Sequence, residues 1–249
     1  MKAMIFAAGL GTRLRPLTND RPKALVEIGG KTMLERVIIK LAETGFDDIT
    51  INIHHFGQKI IDFLEEHNNF GLNIHISDER DMLLDTGGGI LKARRHLDGD
   101  EPLLVHNADI LTNIDLLSMY NSHIQSGAMA TVLVKNRETS RYFVFDDDYR
   151  LQGWLNKATG ETRPATFTHR EGMHELAFGG IHVISPGIFD QLEKYSQGQA
   201  KFSITPFYVD QCRDLLIKGY VQHSDYIWLD VGKPETLQQA QQMIVSGKL

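Results

Sequence analysis

A chain of 249 residues, 42% hydrophobic and 23% charged, carries enough apolar material for a substantial core, without the charge excess of a disordered chain or the long apolar run of a membrane span. A net charge of −6 argues against nucleic acid as a partner, which calls for a basic surface, and the single cysteine, Cys212, leaves no internal disulfide and suits a reducing compartment. The expectation is therefore one cytoplasmic α/β domain over 1–249, with no membrane or nucleic-acid partner.

Ala3-Met4-Ile5-Phe6 reads as a buried first strand, and it runs into Ala7-Ala8-Gly9-Leu10-Gly11-Thr12-Arg13. Small residues here let the backbone turn tightly and bring bare N–H groups against a ligand, which is how loops cradle phosphate. Arg13, Arg15, Arg21 and Lys23 follow, with Asp20 as the only acid among them. Cations so closely spaced repel one another unless something anionic compensates them, and guanidinium forks suit phosphate edges. Gly9 and Gly11 lack the third glycine of a dinucleotide fingerprint, and no Gly-Lys-Ser/Thr follows at P-loop spacing.

Beyond the loop, Leu25 to Ile28 is strand-like, Gly29-Gly30 a turn, and Thr32 with Glu35 a capping box opening a helix with Leu34, Val37, Ile38 and Leu41 on one face. Ile49, Ile51 and Ile53 alternate as a strand, Ile60, Ile61 and Leu64 recur as a helix face, and Leu72, Ile74 and Ile76 alternate again. Strands alternating with helices predict a mostly parallel central sheet flanked by helices, with ligands at its carboxyl ends. One such end is Ser77-Asp78-Glu79. After it, Thr86-Gly87-Gly88-Gly89 at a helix start costs backbone entropy, which a flat ligand lying close against the loop would explain.

Leu103-Leu104-Val105 is a buried strand ending in Asn107-Ala108-Asp109. An acid at a strand's carboxyl end, facing a polyphosphate loop, stands where a magnesium ion belongs. Met129, Thr131 and Leu133 mark another strand. Phe143-Val144-Phe145 and residues 151–154 flank the acids at 146–148 as a hairpin whose acid run is a solvated turn. Residues 158–175 read as an irregular lid, and Gly179-Gly180 as strand glycines that admit a sugar ring. Residues 203–217 have a helix pattern that packs Cys212 inward. Asp230 ends the apolar stretch Tyr226 to Leu229, and a proline-started helix closes the chain. Asp109 and Asp230 together fit magnesium, which takes few protein oxygens and completes its shell with phosphates and water. The eleven histidines show no zinc-ligand spacing.

Gly9-x-Gly11-Thr12-Arg13-x-x-Pro16-x-Thr18, with Pro22-Lys23 after it, resembles the N-terminal motif of the sugar-phosphate nucleotidyltransferases, and Trp228-x-Asp230-x-Gly232-x-Pro234-Glu235 resembles their second metal-acid segment. The resemblance spans nearly the whole chain. It implies a Rossmann-like, GT-A-like single domain whose sugar-binding part, roughly 135–200, is inserted within it, with no β-helix domain following. It further implies that a nucleoside triphosphate meets Ala7, Ala8, Gly9, Gly11, Thr12, Arg13, Glu79, Thr86 and Gly87, and that a sugar 1-phosphate meets Lys23, Gly88, Asn107 and Gly180. Arg13, Lys23 and Asp109 are the implied catalytic residues, and Asp109 and Asp230 the implied magnesium ligands. Where the family carries Glu-Lys-Pro, this chain has Leu155-Asn156-Lys157, so Lys157 is the residue left to hold the sugar phosphate. The triple glycine resembles the form found in N-acetylmuramate-1-phosphate uridylyltransferases. It implies UTP and N-acetylmuramate 1-phosphate as substrates, the alternatives being GTP with mannose 1-phosphate or a heptose 1-phosphate, or a non-catalytic subunit that binds a nucleotide sugar. The lactyl carboxylate of a muramyl sugar calls for a cation, and Lys157, Arg163 and Arg170 are the candidates.

Overall fold

Apolar runs of alternating length put strands and helices in the order that a layered α/β protein requires, and the computed structural model describes residues 1–248 of it. The strands are β1 (Lys2–Phe6), β2 (Glu27–Ile28), β3 (Lys31–Thr32), β4 (Asp48–Ile53), β5 (Asn73–Asp78), β6 (Leu103–Asn107), β7 (Ile110–Thr112), β8 (Ala130–Lys135), β9 (Arg141–Phe145), β10 (Leu151–Asn156), β11 (Glu161–Arg163), β12 (His174–Ile184), β13 (Ile217–Tyr220) and β14 (Trp228–Asp230). The helices are α1 (Met33–Glu43), α2 (Gly57–Glu66), α3 (Asp85–Leu97), α4 (Leu116–Ser126), α5 (Ile188–Ser196), α6 (Ile204–Gln211) and α7 (Pro234–Val245). Among the described residues, no helix is long and apolar enough to cross a membrane.

One ten-stranded sheet runs β11-β10-β9-β12-β6-β1-β4-β5, with β8 on β12 and β13 on β8. Strands β6, β1, β4 and β5 form a parallel ladder. From β12 outward, through β9, β10 and β11, the pairing is antiparallel. The period-2 rule sorts the core into two layers: Ala3 and Ile5 join α1, α2 and α4 on one face, whereas Met4 joins α3, α5 and α6 on the other. A third cluster gathers Leu14, Val26, Ile28, Leu111, Leu229, Val231 and Ala240, binding the first loop to β14 and α7. Thr32 caps α1 as expected, its hydroxyl accepting the Glu35 N–H at 3.0 Å.

Three local expectations change. Of the strand expected over residues 25–28 only Glu27–Ile28 forms, because Lys23–Leu25 make a 3-10 turn, closed by Leu25 N–H to Pro22 O and Val26 N–H to Lys23 O, that tucks Lys23 inward. The helix expected over 203–217 stops at Gln211, because Ile217–Tyr220 pairs alongside β8. The lid expected over 158–175 contains β11, paired with β10, and its last two residues begin β12.

Candidate active site

The site is assembled where the two halves of the sheet meet. Asp109 follows β6, and a separate two-stranded ribbon delivers Asp230 to it: β14 runs antiparallel to β7 with Asp230 opposite Ile110, and Val231 N–H donates to Asp109 O at 2.9 Å. Lys23 Nζ contacts Asp109 Oδ2 and lies 4.0 Å from Asp230 Oδ1. Arg13 reaches the same place, since its guanidinium occupies the space a side chain on Gly232 would need, 2.6 Å from that hypothetical Cβ, with Asp230 Oδ1 at 2.7 Å from the same point. Arg21 instead pairs with Asp20 at 3.1 Å, and Arg15 is exposed. Of the four loop cations, then, Arg13 and Lys23 converge on the acid pair.

Burial and the neighbouring charge of Asp109 push the Asp230 carboxyl above the usual carboxylate range, against the pull of Lys23, Arg13 and Arg137. Its Oδ1 is buried without a hydrogen-bond partner. An orphaned carboxylate oxygen beside a second carboxylate is a donor set that a hard divalent cation satisfies, and the two acids fit magnesium in that sense.

A cleft of about 230 Å³ opens on the parallel side, lined by residues that include Ala7, Ala8, Gly9, Lys23, Asn52, Glu79, Thr86, Asn107 and Asp109. Several of the residues expected at the nucleotide are engaged within the protein itself. The amides of Ala7 and Ala8 are not free for a ligand, because Asn52 Oδ1 accepts both, at 2.8 and 3.3 Å. Asn52 Nδ2 in turn donates to Glu79 Oε1 at 2.7 Å, and Leu84 N–H donates to Glu79 Oε2 at 3.0 Å. Glu79 is therefore a fully buried bracket between two loops, with both carboxylate oxygens engaged inside the protein. Gly9 is exposed with nothing near it, while Gly11 adopts φ +65 with Lys23 Cβ and Thr18 Cγ2 about 3 Å from a would-be Cβ, so only glycine lets the loop fold back onto Lys23. Thr12 stands exposed beyond it at the start of a 3-10 turn.

The glycines at 87–89 lie inside the first turns of α3, and their close neighbour is the chain itself. A Cβ on Gly87 would meet the Phe202 ring at 2.4 Å, and one on Gly88 would meet Ala200 O at 2.1 Å. The amides of Gly87 and Gly88 both donate to Phe202 O. Gly87 and Gly88 are thus corrected from ligand contacts to packing positions, and Thr86, whose hydroxyl accepts the Ile204 N–H at 2.9 Å, remains on the cleft wall. Gly180, at φ +71, makes room for the Asn107 amide, 2.8 Å from a would-be Cβ, a requirement that the protein itself imposes.

A second cleft, of about 560 Å³, opens on the antiparallel side, lined by residues that include Arg137, Arg141, Phe143, Trp154, Asn156, Arg163, Phe178 and Ser203. The two clefts share a partition, with Asn107 against Gly180 and Thr86 Oγ1 at 3.4 Å from Ser203 Oγ. Strand parity decides which cations reach the second cleft. Arg141 lies opposite Asn156, and Phe143 and Arg163 lie opposite Trp154, all on one face. Lys157 falls on the other face, over the Tyr142 ring at 4.7 Å and 2.5 Å from Glu175, so the implied sugar-phosphate contact is not made from that position. Arg170 is exposed and absent from the cleft wall. Asn52, Arg137 and Arg141 escaped the reading of the sequence. None sits in a motif, and only strand register and pairing could have placed them.

The chain belongs to the nucleotidyl transferase family, whose profile matches residues 2–247. It is 46% identical to an N-acetylmuramate alpha-1-phosphate uridylyltransferase of Caulobacter vibrioides, over 94% of this chain and 92% of that one. It is 32% identical to the enzyme of the same name from Neisseria meningitidis, over 97% of both chains. Its fold matches HddC from Yersinia pseudotuberculosis, crystallised with GMP-PN, with a TM-score of 0.74 at 24% identity over 98% of this chain and 99% of that one. Family and relatives together support sugar-1-phosphate nucleotidyl transfer as the activity, on a GT-A-like fold.

Proposed function

We propose that this chain transfers UMP from UTP to N-acetylmuramate 1-phosphate, giving UDP-N-acetylmuramate and pyrophosphate. The observation that carries the reading is the Asp109–Asp230 pair, with Lys23 and Arg13 beside it, where Asp109 and Lys23 line the parallel-side cleft. The triphosphate takes the parallel-side cleft and the sugar phosphate the antiparallel-side one. A non-bridging oxygen of the sugar phosphate attacks the α-phosphorus in line, the α-phosphorus–oxygen bond to the β-phosphate breaks, and pyrophosphate leaves with the electron pair. No proton needs to be moved, since the attacking phosphate is already an anion, and positioning with charge stabilisation carries the catalysis. Magnesium, held by Asp109 and Asp230, supplies Lewis-acid neutralisation of the phosphates when bound. Lys23 and Arg13 offset negative charge that gathers during transfer.

The choice of sugar and base rests on the two uridylyltransferase relatives; of the acceptor-cleft cations that a lactyl carboxylate could meet, Arg141 is exposed and Arg163 is paired with Glu161 at 2.7 Å. The test is a matrix of four nucleoside triphosphates against glucose, mannose, N-acetylglucosamine and N-acetylmuramate 1-phosphates, read by pyrophosphate release with magnesium. The highest kcat/KM is expected for UTP with N-acetylmuramate 1-phosphate. A preference for GTP with mannose 1-phosphate, or equal use of the two N-acetyl sugars, rejects the muramyl assignment and leaves nucleotidyl transfer standing.

A further inference from the structure

Arg137 lines the acceptor cleft and lies near enough to Asp230 for the two charges to influence each other without forming an ion pair. It follows β8 closely and lies across the ring of Trp228, its guanidinium carbon 4.5 Å from the ring centroid. Trp228 and Asp230 are two residues apart on β14 and so share a face, which leads a guanidinium lying on the indole towards the Asp230 carboxylate. Trp228 is itself held, its Nε1–H donating to Gly179 O at 2.8 Å.

An arginine carries five donors, and one nitrogen of Arg137 donates to Phe178 O at 3.3 Å. Its Nε is buried with no partner, and among the described residues no carboxylate stands within ion-pair distance of it. By contrast Arg163, on the same cleft wall, is neutralised by Glu161 at 2.7 Å, and Lys157 is neutralised by Glu175 on the far face of the sheet. A partly desolvated cation with unmade hydrogen bonds is costly unless an anion completes it. The cleft that Arg137 lines meets the triphosphate side where Ser203 faces Thr86.

We propose that Arg137 binds the phosphate of the acceptor sugar, taking the role that Lys157 has no access to, and turns the attacking oxygen towards the nucleotide cleft. The inference rests on the nucleotidyl-transfer reading and assigns a residue to it. A planar fork offers two parallel N–H groups to two non-bridging oxygens and leaves the third oxygen free to attack. Stacking on Trp228 fixes the plane of that fork. The exposed Arg141, on the same wall, adds positive potential at the mouth of the cleft.

The test compares wild type with Arg137→Met, which keeps an unbranched stem over Trp228 and removes the charge. Initial rates of pyrophosphate release are measured against UTP and against N-acetylmuramate 1-phosphate, with melting temperature alongside. Loss of a charge-assisted pair is expected to raise the acceptor KM about 10- to 100-fold with the UTP KM little changed. Arg137→Lys, which keeps the charge without the fork, should recover part of that loss, and it carries the same test if the methionine variant does not fold. An unchanged acceptor KM in either variant overturns the assignment. So does an equal rise in both KM values with a lowered melting temperature, which would make Arg137 a prop for Trp228. Calorimetric titration with N-acetylmuramate 1-phosphate repeats the comparison without turnover. A wild type that releases no pyrophosphate with any pair speaks against nucleotidyl transfer, whereas undiminished acceptor binding by Arg137→Met speaks against Arg137 alone.

Discussion

The two clefts that meet at Thr86 and Ser203 are built by different rules. On the parallel side, the cleft residues sit at or just after the carboxyl ends of β1, β4, β5 and β6 and at the start of α3, so short contiguous stretches arrive together at one edge. On the antiparallel side, every second residue of β9, β10 and β11 lines the cleft from one face, joined by Arg137 and Thr139 after β8, Phe178 of β12 and residues at the start of α6, and no stretch of sequence holds the set. A site made of strand ends can be written as a motif, and a site made of a sheet face cannot. The first half carries chemistry common to a family, and the second is open to change one alternate residue at a time.

That contrast can be broken most forcefully at the acid pair. Asp109→Asn should lower kcat by about 10²- to 10⁴-fold, the scale of a lost metal contact, with the fold intact by circular dichroism. Asp230→Asn should also lose turnover, yet melt higher than wild type without ligand. A carboxyl whose folded pKa is raised above its unfolded value weakens the fold once pH exceeds the unfolded value, and an amide removes that penalty. Near-normal kcat for either variant, or a lower melting temperature for Asp230→Asn, would show that the pair is structural.

A smaller effect sharpens the account of the parallel side. Gly88→Ala drives a methyl against the backbone oxygen of Ala200 and should cost about 1–3 kcal/mol of stability by overpacking. Nucleotide KM should move little. An unchanged melting temperature with a raised UTP KM would return the glycine to the ligand.

The smallest effect concerns the antiparallel side, which holds two of three strongly perturbed histidines. Burial pushes His182 down to about 3, and His106 and His123 down to about 4. These rings stay neutral in the fold while the unfolded chain binds protons below about pH 6.5, so their contribution is intact above that value and drains away as pH falls towards 4. His123 ties α4 to Thr131 and Ser185, at 2.9 and 3.0 Å. Melting curves should therefore show a decline from pH 6.5 to 4 that is shallower in His123→Gln. Equal slopes would remove His123 as a contributor.

Much of the parallel half was legible because its signals are local. The Thr32 cap, the alternating isoleucines of β4 and the acids ending β6 and β14 all lie where periodicity and strand-end chemistry put them. Glycine was half legible. Its meaning, that something comes close, held at Gly87, Gly88 and Gly180, but the close body is Phe202, Ala200 and Asn107, and a sequence cannot say whether a neighbour is ligand or protein. Lys157 and Arg163 differ only in strand parity, which depends on the register of β9, β10 and β11 and is set by tertiary pairing. Arg137 gave no sign at all, since an arginine after a strand is ordinary until Trp228 lies beneath it.

The ribbon of β7 and β14 has a consequence for the order in which competence arises. Asp109 and Asp230 belong to segments far apart along the chain, and closing so long a loop costs entropy that local contacts do not repay. The parallel ladder uses residues only up to Asn107, but the first loop packs through Leu14 and Val26 on Leu229 and Val231, so the loop cations and the second acid depend on the same late segment. Frayed at this ribbon, the molecule would lose Asp230 and the packing behind the first loop together, so that the site is complete only in chains folded through β14.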